Sequence, residues 1–304
     1  LAVLVADILD RLLWRIRPYE KQKGSTEEFI ERSLGIMETI FETYGVKKKY
    51  DKIIDKLEDI IKEGKILIDQ AIHPKPLIGI VGEIFLRMHV DANQDLIRVL
   101  EKHGAEVVNA SLAEWVNYIS YDGLRKAKYG LRLNLKQLNF SAFKSYLKAI
   151  TNFGGDLLYQ EYRQKKIYKR VNRIVDVVQD HKVAHLERIL EKDDIYSFHM
   201  GTEACLSIAT IVNCARTGYN GMVNVFPFTC MPSMTTSAIV KPLMKKTRMP
   251  YLDVAYDSSI QPGREATIRT FMHQAYQHFQ NNGNRRANKG LKNFCKNSLT
   301  FLSG

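Results

Sequence analysis

Apolar residues recur at helical spacing in the first part of the chain. Between residues 2 and 16 they fall on every fourth position, at Leu4, Ile8, Leu12 and Ile16, which predicts an amphipathic helix. A second helix is predicted from Ser25 to Tyr44, because Ser25-Thr-Glu-Glu28 has the pattern of a capping box. A third is predicted over residues 51–71, before the prolines at 74 and 76. Residues 1–74 are therefore predicted to be a helical segment that packs on the domain after it.

The pattern changes at Leu77-Ile-Gly-Ile-Val81, a continuous apolar run typical of a buried parallel strand. Further short strands are predicted at residues 106–108, 222–226 and 251–255, and helices at residues 93–103, 203–216, 232–246 and 263–279. Strands that alternate with helices predict a parallel sheet. The predicted fold class is α/β: a small four-stranded parallel flavodoxin-like or Rossmann-like sheet in a lobe of residues 75–283, with a helical insertion at about 113–196.

The net charge of +12 is concentrated in two places. Residues 120–200 carry a net +7, and residues 284–304, a predicted basic tail, contain five cations and no acid. A localised excess of charge indicates a partner rather than a fold. That partner could be a nucleic acid, a phosphate-bearing substrate or an acidic protein surface.

Several classes of protein are disfavoured by composition. No apolar run approaches the roughly 20 residues of a membrane helix, and Asp7, Asp10 and Arg11 interrupt an opening segment that could resemble a signal peptide. The four cysteines form no Cys-x-x-Cys pair, which favours a reduced, cytoplasmic protein. Because the chain starts with Leu1, we expect it to be a piece of a longer protein.

The carboxyl ends of the predicted strands should carry the functional site, since ligands bind there in open parallel sheets. This rule makes Glu83, Cys230 and Asp257 predicted neighbours. Arg87 could pair with Glu83 or bind a phosphate. A carboxylate at a strand end can also simply cap the next loop, and this alternative stays open for both acids.

Cys230 lies where the third strand becomes a helix, with Pro232 suited to the first helical turn. Unpaired amide groups and the positive end of the helix would favour a thiolate there. Such a thiolate can act as a nucleophile or a metal ligand. The alternative is a small buried residue in a tight turn.

The chain resembles a known family in six segments, most specifically at Gly82-Glu-Ile-Phe85 and Pro227-Phe-Thr-Cys-Met-Pro232. The other matching stretches are residues 1–23, 93–100, 104–107 and 250–257. The family is the 2-hydroxyacyl-CoA dehydratase component-like region at the C-terminal end of large CoA-substrate-specific enzyme activases. The resemblance extends over nearly the whole chain.

The resemblance implies an iron–sulfur cluster, 4Fe–4S or larger, held between two similar α/β lobes and reduced at low potential by an ATP-driven activator. Cys230 matches a cluster ligand and Cys205 is a second candidate. Arg87 is a candidate for cofactor binding, and Glu83 and Asp257 are candidates for catalysis. The family's other cluster cysteines belong to a preceding lobe that this chain lacks, so we expect the cluster to be incomplete or absent in this chain alone.

The implied function is low-potential electron transfer or binding of a CoA thioester. The implied partners are an upstream lobe and the ATPase domains of the same parent protein. Whether the chain is an enzyme stays open; it would act within a 2-hydroxyacyl-CoA dehydratase or CoA-thioester reductase system. The alternative is a non-catalytic docking lobe that uses its basic insertion to bind partner domains.

Two weaker signals lie in the insertion. His181 and His185 are spaced i, i+4, so they are predicted to share a helix face and could bind a metal; two solvated helix histidines are the favoured explanation. Tyrosines alternate with cations between residues 159 and 170 (Tyr159, Tyr162, Tyr168), a pattern that suits single-stranded nucleic acid. An amphipathic helix that buries its tyrosines is the favoured explanation. Nucleic-acid binding ranks last because no recognition motif accompanies the charge.

Overall fold

The computed structural model describes residues 1–137, 142–257, 259 and 263–284. Its internal contacts divide the chain into two units. Unit 1 consists of residues 1–68 and 111–188, and unit 2 of residues 69–110 and 189–304. The N-terminal helices and most of the predicted insertion thus belong to one unit. Their predicted packing on the α/β lobe stays a prediction, and the predicted basic tail lies, apart from Asn284, outside the described residues.

The secondary structure alternates as the sequence predicts, with two additional 3₁₀ turns at Arg17–Tyr19 and Phe198–Met200. The helices are α1 (Ala2–Ile16), α2 (Ser25–Tyr44), α3 (Tyr50–Ile66), α4 (Ile84–Met88), α5 (Leu96–Lys102), α6 (Leu112–Lys136), α7 (Phe143–Val171), α8 (Val183–Lys192), α9 (Glu203–Arg216), α10 (Met231–Thr247) and α11 (Arg264–Asn282). The strands are β1 (Leu77–Gly82), β2 (Glu106–Asn109), β3 (Gly221–Pro227) and β4 (Tyr251–Tyr256). No helix of the described residues is long and apolar enough to cross a membrane.

Unit 1 is built around α1, whose apolar stripe is buried as predicted. It packs in one core with the isoleucine-rich face of α3 and with residues near the end of α7. Helices α6 and α7 form an antiparallel pair. Their approach is close where Gly130 meets Tyr146, since a Cβ at Gly130 would lie 2.5 Å from the Tyr146 ring.

Two details of the N-terminal helices differ from prediction. The capping box of α2 does not form, because Ser25 is the first helical residue and the Glu20 carboxylate accepts from the Gly24 and Thr26 amides at 2.9 and 3.0 Å. Helix α3 ends at Ile66 instead of residue 71. The chain leaves the helix because Ile68 pairs with Glu20 in an isolated antiparallel bridge.

Unit 2 contains a four-stranded sheet in which every pair is parallel, in the order β2-β1-β3-β4. This is the predicted α/β flavodoxin-like or Rossmann-like fold. One sheet face packs against α5 and α11, with Ile80, Val223 and Val254 in the shared core. Helices α9 and α10 pack on the strands from the other side. The sheet is therefore covered on both faces, which is the environment that a continuous apolar β1 requires.

The region after β1 is more ordered than predicted. Residues 84–88, predicted as a loop, form the short helix α4. Helix α5 begins at Leu96 rather than Asn93, because the buried Asn93 side chain accepts from the Leu96 amide at 3.1 Å and donates to the Leu86 carbonyl at 2.8 Å. Asn93 thus joins α4 to α5.

Candidate functional site

The carboxyl ends of all four strands meet at one edge of the unit 2 sheet, as parallel pairing requires. Gly82, Asn109, Pro227 and Tyr256 are the last residues of the strands. The predicted site residues Glu83, Cys230 and Asp257 follow three of these ends. We call this the carboxyl edge.

Gly82 allows the chain to turn away from β1 at this edge. Its φ is +116°, and a Cβ there would lie 2.0 Å from the Val225 carbonyl oxygen. The next amide, of Glu83, donates to that same carbonyl at 2.8 Å. A glycine is therefore required for the turn that places Glu83.

Glu83 begins α4 and is partly buried. Its two carboxylate oxygens accept from the Phe85 amide at 3.0 Å and the Leu86 amide at 2.9 Å. The capping alternative is thus present in the structure. Arg87, at the end of this helix, is buried, and its carbonyl accepts from the Asn109 side chain at 2.8 Å.

A second carboxylate, which was not selected from the sequence, belongs to this group. Burial raises the pKa of Glu203, the charge of Glu83 raises it further, and Arg87 opposes the rise. Glu203 is the first residue of α9. Cys205, the second candidate ligand, lies two residues further along α9, but Glu203 is the residue that interacts with Glu83 and Arg87.

Cys230 is the N-cap of α10 and its side chain makes no cap hydrogen bond. The residue is partly buried, and its Sγ lies 3.7 Å from Ser233 Oγ. The preceding Thr229 has a φ of +69°, and the Cys230 amide donates to the Pro227 carbonyl at 3.0 Å. The loop thus fixes the thiol at the helix N-terminus that the sequence predicts.

Large apolar side chains are exposed beside Cys230. Phe228 is 68% exposed and Met231 is 69% exposed. Met234, one turn into α10, is also exposed. Three large apolar side chains within four residues of Cys230 in sequence are thus exposed.

Cys205 differs from Cys230 in its surroundings. It is fully buried in α9, and its Sγ lies 3.8 Å from the Ser197 carbonyl oxygen. Burial of this kind is typical of a structural thiol.

Asp257 is exposed at the end of β4. It accepts from the Ser259 hydroxyl at 2.7 Å and the Ser259 amide at 2.8 Å. These hydrogen bonds lower the pKa of Asp257, and the bond from the hydroxyl has the larger effect. The structure therefore gives Asp257 the local turn contacts of the capping alternative, and its catalytic role stays a prediction.

The metal-ligand set is incomplete within the part of the chain that the structure describes. There, no three His, Cys, Asp or Glu side chains form a group that could hold a metal ion. A cubane cluster needs about four thiolate ligands. The described residues offer one partly exposed thiol at the carboxyl edge, so they fit a single ligand position and not a whole cluster.

The histidine pair of the insertion is only partly helical. His185 lies in α8, whereas His181 precedes the first residue of that helix. Their rings are 5.8 Å apart between centroids. The predicted shared helix face is therefore wrong.

The tyrosines of α7 divide into two groups. Tyr159 and Tyr162 are exposed, at 53% and 62%, so the expectation that the helix buries them is wrong for these two. Tyr168 is buried, and its hydroxyl accepts from Arg11 at 2.8 Å. The exposed pair lies on a stretch of α7 whose Gln160 and Gln164 side chains are hydrogen-bonded to α6.

A partly buried polar cluster on β4 was not predicted. Asp253 accepts from the hydroxyls of Ser237 and Tyr251 at 2.5 and 2.6 Å and pairs with Lys241 at 2.8 Å. Burial opposes ionisation of Asp253, but its hydrogen bonds hold its pKa below the usual value. Among these bonds, the one from Lys241 has the largest effect. Burial, together with the Asp253 charge, raises the pKa of Tyr251. The cluster fastens α10 to the edge strand.

The chain was compared with protein-family models, with curated proteins and with solved structures, and none of them matches it.

Proposed function

We propose that unit 2 is one lobe of an iron–sulfur module of the 2-hydroxyacyl-CoA dehydratase kind, within a CoA-substrate enzyme activase-type protein. Cys230 is the cluster ligand that this chain contributes. The observation that carries the proposal is the partly exposed thiol at the N-terminus of a 17-residue helix, at the carboxyl edge of a parallel sheet. Burial leaves Cys205 with no comparable exposure, so it is the weaker candidate.

Cys230 lies at the N-terminus of α10, where the first amides of a helix have no partner within it. A thiolate, and not a thiol, is the form that binds iron. The Cys230 side chain is not already used as a cap. It is therefore available as a ligand.

The exposed side chains around Cys230 support a half-site, that is, a cluster site of which this chain supplies one side and a second lobe the other. A second lobe that covered Phe228, Met231 and Met234 would remove them from water and supply the missing thiolates. The low dielectric produced by such a contact, together with hydrogen bonds to sulfur, sets the potential of a cluster. The partner in this proposal is the upstream lobe of the same parent protein, and its ATPase domains supply the electrons.

Glu83, Arg87 and Glu203 form the polar part of the half-site. A carboxyl group with a raised pKa holds its proton at a higher pH than a free one. We assign Glu203 to proton transfer, with Glu83 as the neighbouring charge that tunes it. Arg87 is assigned to a phosphate or carboxylate of a bound CoA thioester.

Anaerobic reconstitution with iron and sulfide tests the proposal. It is performed on the polypeptide that joins this chain to the upstream lobe, and iron, sulfide and the electron paramagnetic resonance spectrum are measured. We expect about four irons per polypeptide and a marked loss of iron in Cys230→Ser. Cys214→Ser is the matched control, because Cys214 is buried in α9.

Two results would contradict the assignment. Absence of iron and sulfide with both lobes present would remove the cluster from the proposal. An unchanged spectrum in Cys230→Ser would move the ligand elsewhere.

A second candidate function is a non-catalytic docking lobe that binds partner domains through its insertion. Residues 123–155 contain seven Lys and Arg and no Asp or Glu. Lys128, Arg132 and Lys136 follow one another along the outside of α6, and each is exposed. A stripe of this kind attracts an acidic surface.

Salt dependence separates the two candidates. Binding of a partner domain by the stripe should weaken steeply between about 50 and 300 mM salt, since exposed charges are screened over that range. The charge reversals Arg132→Glu and Lys136→Glu should abolish it. Cluster assembly at Cys230 should be insensitive to both changes.

A further inference from the structure

Unit 2 contains a cavity of about 650 Å³ at the amino end of β4. It lies between the C-terminal halves of α10 and α11, with Tyr251, the first residue of β4, in its lining. The strand runs from this cavity towards the carboxyl edge. The cavity is therefore separate from the candidate site around Cys230.

The two walls of the cavity have different chemistry. Cations from α10 and the residue after it form one wall: Lys241, Lys245 and Arg248. Amide side chains of α11 form the other: Gln274, Gln277, Asn281 and Asn282. Among the described residues that line the cavity there is no Asp or Glu.

Among the described residues, Lys245 and Arg248 have no acidic partner. Neither forms an ion pair with a described residue, whereas Lys241 is held by Asp253 at 2.8 Å. Cations near a helix C-terminus stabilise the helix, and this ordinary role applies also to Lys246. Lys246 is exposed on the same turn but does not line the cavity. Lys245 lines the cavity, whereas Lys246 does not.

The floor of the cavity is apolar and fixed. Met244 and Met249 are buried, and both line it. Tyr251 beside them is held by its hydrogen bond to Asp253 at 2.6 Å. Methionine sulfur and aromatic rings make favourable contacts with planar groups. The floor thus suits an aromatic or sugar moiety rather than a bare ion.

We propose that this cavity binds a nucleoside phosphate. Lys245 and Arg248 hold the phosphates, and the amides of α11 hold the edge of the base. An amide side chain offers both donors and an acceptor, as the mixed edge of a nucleobase requires. A volume in the range of about 300–1,000 Å³ is typical of small-molecule sites. Inorganic phosphate would leave the amide wall without a partner.

Isothermal titration calorimetry of the full chain tests the proposal with ADP, and with pyrophosphate and adenosine as its two parts. We expect ADP to bind at least tenfold more tightly than either part. Lys245→Ala and Arg248→Gln should each weaken ADP binding about tenfold, the effect of losing one charge-assisted hydrogen bond. Lys246→Ala is the matched control and should bind ADP as the unchanged chain does.

The amide wall has its own test. Gln274→Leu should weaken ADP binding but leave pyrophosphate binding unchanged. Thermal unfolding of each variant checks that the fold is retained.

Three outcomes would overturn the inference. The first is the absence of binding heat with ADP at about 1 mM. The second is pyrophosphate binding as tight as that of ADP, which would show that the amide wall contributes nothing. The third is an equal loss in Lys246→Ala and Lys245→Ala, which would show only non-specific attraction to a basic surface. None of these results depends on Cys230, so they test the nucleoside-phosphate site independently of the proposed cluster.

Discussion

Asp10 should make unit 1 less stable at neutral pH than at acidic pH. It lies on the buried helix α1, between Asp7 and the guanidinium of Arg11. Its carboxyl has no hydrogen bond or ion pair with a described residue, because Arg11 donates to Tyr168, to the Val178 carbonyl and to Asp180 instead. Burial and the charge of Asp7 raise the pKa of Asp10 from 3.8 to about 6, and burial is the larger of the two causes.

The sign of the effect follows from linkage. The folded state holds the Asp10 proton more tightly than the unfolded state, so ionisation costs stability as the pH rises from about 4 to above 6. A pKa difference of about two units costs about 3 kcal/mol at pH 7, about 1.6 kcal/mol at pH 5 and about 0.6 kcal/mol at pH 4. Asp10→Asn removes the ionisable group and should recover these amounts.

Urea unfolding followed by circular dichroism measures the gain at pH 4, 5 and 7. The variant should be about 3 kcal/mol more stable than the parent at pH 7 and nearly equal to it at pH 4. Asp156→Asn serves as the control, because Asp156 is exposed on α7 in the same unit. It should change stability by less than about 0.5 kcal/mol at every pH.

A gain that is the same at pH 4 and pH 7 would refute the argument. It would show that asparagine improves packing or helix propensity rather than removing a buried charge. A loss of stability at pH 7 would show that the Asp10 carboxylate has a favourable partner.

Three further substitutions and one reaction test the structure. Gly82→Ala should destabilise unit 2 by about 3 kcal/mol or more, because its Cβ would meet the strand backbone; Gly155→Ala, in open space on α7, should stabilise by about 0.5–1 kcal/mol in denaturant titrations. Iodoacetamide should modify Cys230 in the folded protein and Cys205 only on unfolding, as peptide mass spectrometry would show; equal rates would contradict their different burial. Arg11→Met should cost about 3–5 kcal/mol in unfolding free energy, since it leaves a buried carboxylate unpaired; a neutral result would mean that this ion pair is dispensable.

The sheet could be predicted from the sequence because its signal is local. Leu77–Val81 is apolar at every position, and only a strand buried on both faces needs such a run. The other strands fall at short runs that also contain apolar residues. Because the strands pair in parallel, their carboxyl ends lie at one edge of the sheet. The position of Cys230 at that edge follows from its place between β3 and Pro232.

Features that depend on distant residues could not be predicted in this way. The carboxylate that caps α2 is Glu20, outside the capping-box pattern, and α3 stops early because Ile68 pairs with that same residue. The raised pKa of Glu203 depends on Glu83, which is far away in sequence. The exposure of Tyr159 depends on which face of α7 packs against α6, and the neighbouring Gln160 makes that contact.

The Asp253 cluster bears on how Cys230 is held. Cys230 begins α10, and Ser237 and Lys241 on the same helix are bonded to Asp253 in β4. A cluster ligand must be held in place by groups other than the metal if its sulfur is to have a fixed position before assembly. The partly buried hydrogen bonds to Asp253 connect α10 to the sheet, and the Cys230 amide donates to the Pro227 carbonyl within the loop. The thiol at the carboxyl edge is therefore held by contacts within unit 2, and the exposed Met231 beside it marks the side that the proposed second lobe would cover.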